Sequence, residues 1–123
     1  MNLLIVFVGG GLGAVARYLL QGFVYRYSGT EFPYGTIVVN ILGCFTIGLL
    51  MSSMEERFLA TPSLRLFLTI GILGGFTTFS SFSYETMALL REGNFLAGGM
   101  NIVASVVTCL VATWLGLGLG RYV

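Results

Sequence analysis

The stretch Gly71-Ile72-Leu73-Gly74-Gly75-Phe76-Thr77-Thr78-Phe79-Ser80-Ser81-Phe82 lies inside a membrane-length apolar segment and limits what this chain can become. Each glycine weakens a helix by about 1 kcal/mol relative to alanine, and in hydrocarbon a freed backbone group needs another partner. Irregular backbone survives at membrane depth only where it is buried in protein or lines a polar cavity. Glycines followed by a hydroxyl run and by two aromatics three residues apart therefore read as a broken helix. Such a break would expose carbonyls and hydroxyls near mid-bilayer, which points to an ion site or a pore.

The segment belongs to a chain of 123 residues that is 56% hydrophobic and only 9% charged. Soluble domains carry about 25% charged residues, so this is an integral membrane protein, and its length fits one domain over residues 1–123. The net charge of +1 makes no case for nucleic acid or an acidic partner. Histidine is absent, which removes the commonest metal ligand and the side chain that titrates near neutrality. Cys44 and Cys109 each sit within an apolar segment and read as small packing residues, not as a disulfide or a metal site. Residues 1–8 contain no basic stretch of the kind that opens a secretory leader.

Four apolar segments, residues 3–24, 34–52, 64–90 and 95–119, each meet the roughly 20-residue length that crosses a bilayer core. The third is the longest and has room for an internal break. Short polar connections join them at residues 26–33, 53–63 and 91–94, so the function must lie within the bilayer. Glycine occurs 18 times, grouped as Gly9-Gly10-Gly11 with Gly13, Gly43 with Gly48, Gly98-Gly99, and Gly116 with Gly118 and Gly120. Small residues let membrane helices approach closely, and packing is the reading adopted for every group outside the third segment.

Four thin helices enclose no aqueous path alone, so an oligomer is expected. All six basic residues are arginine. With the N-terminus on one side, Arg57, Arg65 and Arg121 share that side and Arg26 and Arg91 the other, while Arg17 lies within the first segment. So small a bias hardly orients a chain under the positive-inside rule. The inference is dual topology: copies insert both ways and pair as an antiparallel homodimer.

Polar groups inside the membrane are costly enough that their positions are informative. In the second segment Thr36, Asn40, Gly43 and Cys44 share a helical face, with Asn40 either an interhelical hydrogen-bonding group or a donor aimed into a path. In the fourth, Asn101, Ser105, Thr108 and Ala112 form one stripe, open to the same two readings. Phe79 and Phe82 fall three residues apart, and the positive edges of their rings suit an anion. Arg17 either snorkels or lines an electropositive mouth, and Glu85 near the end of the third segment reads as a salt-bridge or interface residue. Neutral donors outnumber formal charges, as a small, strongly hydrated ion needing replacement hydrogen bonds would require. No nucleophile–base pair, metal cluster or cofactor motif accompanies them, so the chain does not read as an enzyme.

In length and four-segment layout the chain resembles the Fluc (CrcB-type) fluoride ion channels. Three motifs carry the resemblance: Gly9-Gly10-Gly11-Leu12-Gly13-Ala14-Val15-Ala16-Arg17-Tyr18, Gly35-Thr36-Ile37-Val38-Val39-Asn40-Ile41-Leu42-Gly43, and the Gly71-to-Phe82 stretch. The resemblance implies an all-α integral membrane fold of four transmembrane helices, with the third broken, in a dual-topology antiparallel homodimer in the bacterial inner membrane. It implies passive export of fluoride through two pores, and a structural Na+ at the dimer centre held by the backbone carbonyls of Gly74 and Thr77. Phe79 and Phe82 would be the pore phenylalanines and Asn40 the pore amide. Thr78, Ser80 and Ser81 would continue the hydroxyl lining, and Arg17 would stand near the aqueous vestibule. The fourth-helix polar track falls by pattern on Asn101, Ser105 and Thr108, with Cys109 a candidate for one of its positions. Two alternatives are a small multidrug or cation exporter and a non-transporting structural subunit. The exporter needs a carboxylate deep in its first segment, where this chain has only Arg17, and the structural subunit leaves the third segment unexplained.

Overall fold

A computed structural model of the chain describes residues 1–57 and 60–123, and among them every regular element is helical. The elements are α1 (Asn2–Ser28), α2 (Tyr34–Arg57), α3 (Pro62–Leu66), a π-helical stretch (Phe67–Leu73), α4 (Gly74–Phe76), α5 (Phe79–Arg91) and α6 (Phe95–Gly120). Four spans are long and apolar enough to cross a membrane: Asn2–Ser28, Tyr34–Glu56, Pro62–Arg91 and Phe95–Gly120. Each runs a little past its sequence-based limits, because helices continue through their polar ends. The connection expected over residues 53–63 is helical as far as Arg57, and Phe58 and Leu59 within it lie outside the described residues. At the last turn Gly93 takes φ 81°, which a side chain would resist, and Asn94 caps α6 by accepting from the Ala97 N–H at 3.3 Å.

Glycines set the packing. A Cβ on Gly9 would stand 2.9 Å from the Gly71 Cα and the Phe67 carbonyl, and one on Gly13 would collide with the Ile72 carbonyl. Moving up α1 thus moves up the third span, so the two run parallel with backbones in contact. On the other side Gly48 meets the Thr113 carbonyl, Gly116 meets Phe45 O, and a Cβ on Gly120 would lie 2.6 Å from Leu49 O. These contacts advance together along both chains, which makes α2 and α6 a second parallel pair. Without a hydrophobic force between helices in lipid, such close approach supplies the dispersion that holds them.

The glycines divide differently from the sequence expectation. Gly71 and Gly75 in the third span are packing residues after all: a Cβ on Gly71 would reach Gly9 at 3.1 Å, and one on Gly75 would overlap the Gly10 carbonyl. By contrast Gly11, Gly22, Gly99 and Gly118 have nothing within 4 Å, so packing within one chain does not explain them. Large apolar side chains cover the outside, among them Phe7, Phe79, Trp114 and Leu96, each more than 70% exposed. A water-soluble monomer does not tolerate an apolar surface of that extent, whereas lipid or a second chain covers it without cost.

Candidate functional site

Glycines are not the residues at which the third span leaves helical geometry. Gly74 has φ −62° and ψ −38°, and the extended residues are Thr77 (φ −84°, ψ 156°) and Thr78 (φ −150°, ψ 113°). Asn40 of α2 secures this pair. Its Oδ1 accepts from the Thr78 N–H at 2.8 Å, and its Nδ2 donates to the Thr78 carbonyl at 3.0 Å. In a continuous helix the Thr78 N–H would go to the Gly74 carbonyl; here the carboxamide takes that donor instead. One N–H of the amide is left over, so Asn40 joins two helices and still keeps a donor.

Thr78 is buried, and its hydroxyl serves as the N-cap of α5 by accepting from the Ser81 N–H at 3.1 Å. The same oxygen lies 3.1 Å from Ser81 Oγ and 3.2 Å from Ser80 Oγ, so three hydroxyls meet at the start of the helix. The sequence signal for this cap is a threonine ahead of the apolar–hydroxyl run, a role beyond the lining that the pattern alone suggests.

A cavity of about 340 Å³ opens between α2, the start of α5 and α6, lined by Asn40, Cys44, Thr77, Thr78, Phe79, Phe82, Ser105, Val106, Cys109 and Leu110. It brings together Asn40, Thr78, Phe79, Phe82 and Ser105 from the expected set. The two rings lie 5.3 Å apart at 43°, with Phe79 mostly exposed. Ser80, Ser81, Thr108 and Arg17 are not in this lining. Thr108 spends its hydroxyl on the Ala104 carbonyl one turn back, as threonine often does in membrane helices. Arg17 has a buried Nε with no hydrogen-bonding partner. A second, smaller cavity lies beside the first and is lined by Gly43, Cys44, Ile47, Thr69, Leu73, Gly74 and Thr77.

Two polar networks support the site from behind. Asn101, only 1% exposed, donates to Thr86 Oγ1 at 2.8 Å, and Thr86 donates to the Phe82 carbonyl at 2.7 Å. Ser105 donates to Asn101 Oδ1 at 3.3 Å. Asn101 is thus the interhelical hydrogen-bonding residue of its stripe, while Ser105 also faces the cavity. In the second network Gln21 Nε2 donates to Thr36 Oγ1 at 3.2 Å and Thr36 donates to Glu85 Oε1 at 2.8 Å, joining α1, α2 and α5. Glu85 therefore accepts from a hydroxyl, and its Oε2 is buried without a partner. Gln21 and Thr86 went unremarked in the sequence, although each sits one helical turn from a residue that stood out, Arg17 and Phe82 respectively.

Cys44 and Cys109 are half-buried free thiols. They face each other across the α2–α6 seam, both in the wall of the larger cavity. Their placement follows the register of that seam, since Gly48 touches Thr113 and both cysteines lie four residues earlier on their helices.

The fold and this cavity define a small multi-pass membrane protein, whose compartment in a bacterium is the inner membrane. The family described as CrcB-like protein, Camphor Resistance (CrcB), matches residues 4–117. A protein of Geotalea daltonii named fluoride-specific ion channel FluC is 51% identical over 121 residues, covering 97% of this chain and 98% of the relative. A protein of the same name from Geobacter sulfurreducens is 52% identical, covering 98% and 97%, and one from Geotalea uraniireducens is 53% identical, covering 94% of each. The chain belongs to the CrcB-like family, whose members are ion channels and not enzymes.

Proposed function

We propose that the chain is a fluoride-selective channel that exports cytoplasmic fluoride passively, working as a dual-topology antiparallel homodimer with two pores. The observation that carries the reading is the meeting of Asn40, Phe79, Phe82 and Ser105 around one open-sided cavity, joined to relatives that are named for fluoride. The lining bears no formal charge. Fluoride is small and strongly hydrated, so what it needs on entering is a set of replacement donors and positive ring edges, not a fixed cation that would hold it. The spare N–H of Asn40 is the standing donor, the Ser105 hydroxyl becomes a second by turning away from Asn101 Oδ1, and the edges of Phe79 and Phe82 flank them. Phe79 is exposed in the single chain, as a ring completing a pore with a partner's surface would be.

A structural Na+ is part of the proposal. Gly74 is exposed in the single chain, its carbonyl has lost its helical donor to Asn40, and the Thr77 carbonyl belongs to extended backbone. Carbonyl oxygens at the C-terminal end of an interrupted helix are the donor type that coordinates Na+ in other membrane proteins. These residues fit the ion: Gly74 and Thr77 from each of two antiparallel chains would hold it. Its contribution would be a fixed positive charge at the dimer centre.

The test is fluoride release from liposomes containing the purified protein, read with a fluoride electrode and run beside a chloride control. Fast fluoride efflux with little chloride movement supports the reading. Folded, dimeric protein that releases no fluoride overturns it.

A further inference from the structure

We propose that Cys44 and Cys109 form a two-thiolate site for a soft monovalent cation of the silver or cuprous class, and that filling it shuts the path beside it. The proposal rests on the channel reading only for its second half. Two cysteines in apolar segments would ordinarily be inert packing residues. These two come from different spans, face each other across one seam, and are held there by close backbone packing on that seam. The close glycine contacts Gly48–Thr113 and Gly116–Phe45 flank the α2–α6 interface above them and leave it little room to slide. Because both residues lie in the wall of one cavity, a single ion between them needs only side-chain rotation about Cα–Cβ to meet both sulfurs.

The chemistry selects the ligand. Thiolates favour soft d10 cations, and two sulfurs without a third donor suit an ion content with linear two-coordination. Among the described residues no cluster of three or more His, Cys, Asp or Glu exists, so the two sulfurs have no further side-chain donors of the kind a tetrahedral site uses. Both cysteines line the open-sided cavity that also holds Asn40, Phe79 and Phe82, so an ion that enters the proposed path meets both. On binding, two S–H bonds break, two protons leave to solvent, and two metal–sulfur bonds form with no change of oxidation state. Two thiolates and one monovalent cation carry a net charge of −1. A fixed anion in the cavity wall repels a permeating anion as well as narrowing its route.

The experiment uses Ag+ as the probe, in chloride-free nitrate buffer so that silver chloride does not form. Equilibrium dialysis of the purified native protein should give one Ag+ per chain, and Cys44→Ser and Cys109→Ser should each abolish it. In liposomes, Ag+ should slow native fluoride efflux by at least about tenfold, with recovery on adding excess glutathione, while each serine variant keeps its own Ag+-free rate. Binding or block that survives in either single variant would mean a lone reactive thiol and would overturn the pair. Stoichiometric binding with unchanged flux would overturn the shutting. Native protein that binds Ag+ but passes no fluoride even without it would instead fault the channel reading, since dialysis does not depend on conduction.

Discussion

Replacing Asn40 by leucine keeps the branched outline of the side chain, at a somewhat larger volume, and removes both of its bonds to Thr78. What is orphaned is one N–H and one C=O in a residue only 7% exposed. In a soluble protein each such group would cost about 1–3 kcal/mol. In a membrane the figure is smaller, because the unfolded-in-membrane state finds partners too, and measured interhelical bonds average about 0.6 kcal/mol with a maximum near 1.7. Thr78 has a specific escape: its N–H can return to the Gly74 carbonyl if the helix re-forms through it. Two bonds on the membrane scale give an expected loss of about 1–3 kcal/mol for Asn40→Leu. Reversible unfolding in mixed micelles, followed by the fluorescence of Trp114, the single tryptophan, measures it. A change below about 0.5 kcal/mol would refute the clamp, since that is the size of a surface substitution. Asn40→Asp separates the two roles of the amide. It keeps an acceptor for the Thr78 N–H and places a negative charge beside the cavity, so fluoride flux should fall further than stability does. Flux and stability falling in the same proportion would leave Asn40 a clamp alone.

Phe79→Ile and Phe82→Ile should each abolish or sharply slow fluoride flux while the dimer still assembles on size-exclusion chromatography; normal flux would remove the rings from the mechanism. Gly13→Val and Gly116→Val drive a side chain into Ile72 O and Phe45 O respectively, so each should cost at least the 1–3 kcal/mol typical of overpacking. The matched control Gly118→Ala, with nothing within 4 Å, should leave the chain's own stability within about 0.5 kcal/mol. Gly74→Val is the sharpest probe of assembly. A Cβ there would meet only Thr69 O at 3.8 Å, an ordinary contact, so a lost dimer reports on the partner face, and an unaffected dimer would count against the central cation site.

The four spans were legible because membrane length and low charge are read from composition directly, and the chain has few other ways to bury its backbone. The site was legible in part. Asn40, Phe79, Phe82, Thr78 and Ser105 stood out as polar or paired aromatic residues in apolar surroundings, and they line one cavity. What stayed hidden was set by partners that a linear reading does not contain. Thr108 looks like Ser105 on its stripe, yet its hydroxyl is turned back onto Ala104. Gly71 and Gly75 look like helix breakers, yet their small size is used against Gly9 and Gly10 of another helix. The extended pair is two residues of good β-propensity, and it persists because a carboxamide from α2 replaces the helical bonds that Thr78 gives up. The same residue that frees the Gly74 carbonyl also lines the cavity and keeps a spare N–H. A single side chain thus couples the shape of the third span to the donor set of the proposed pore, which is why Asn40 is the residue whose stability and flux effects must be measured together.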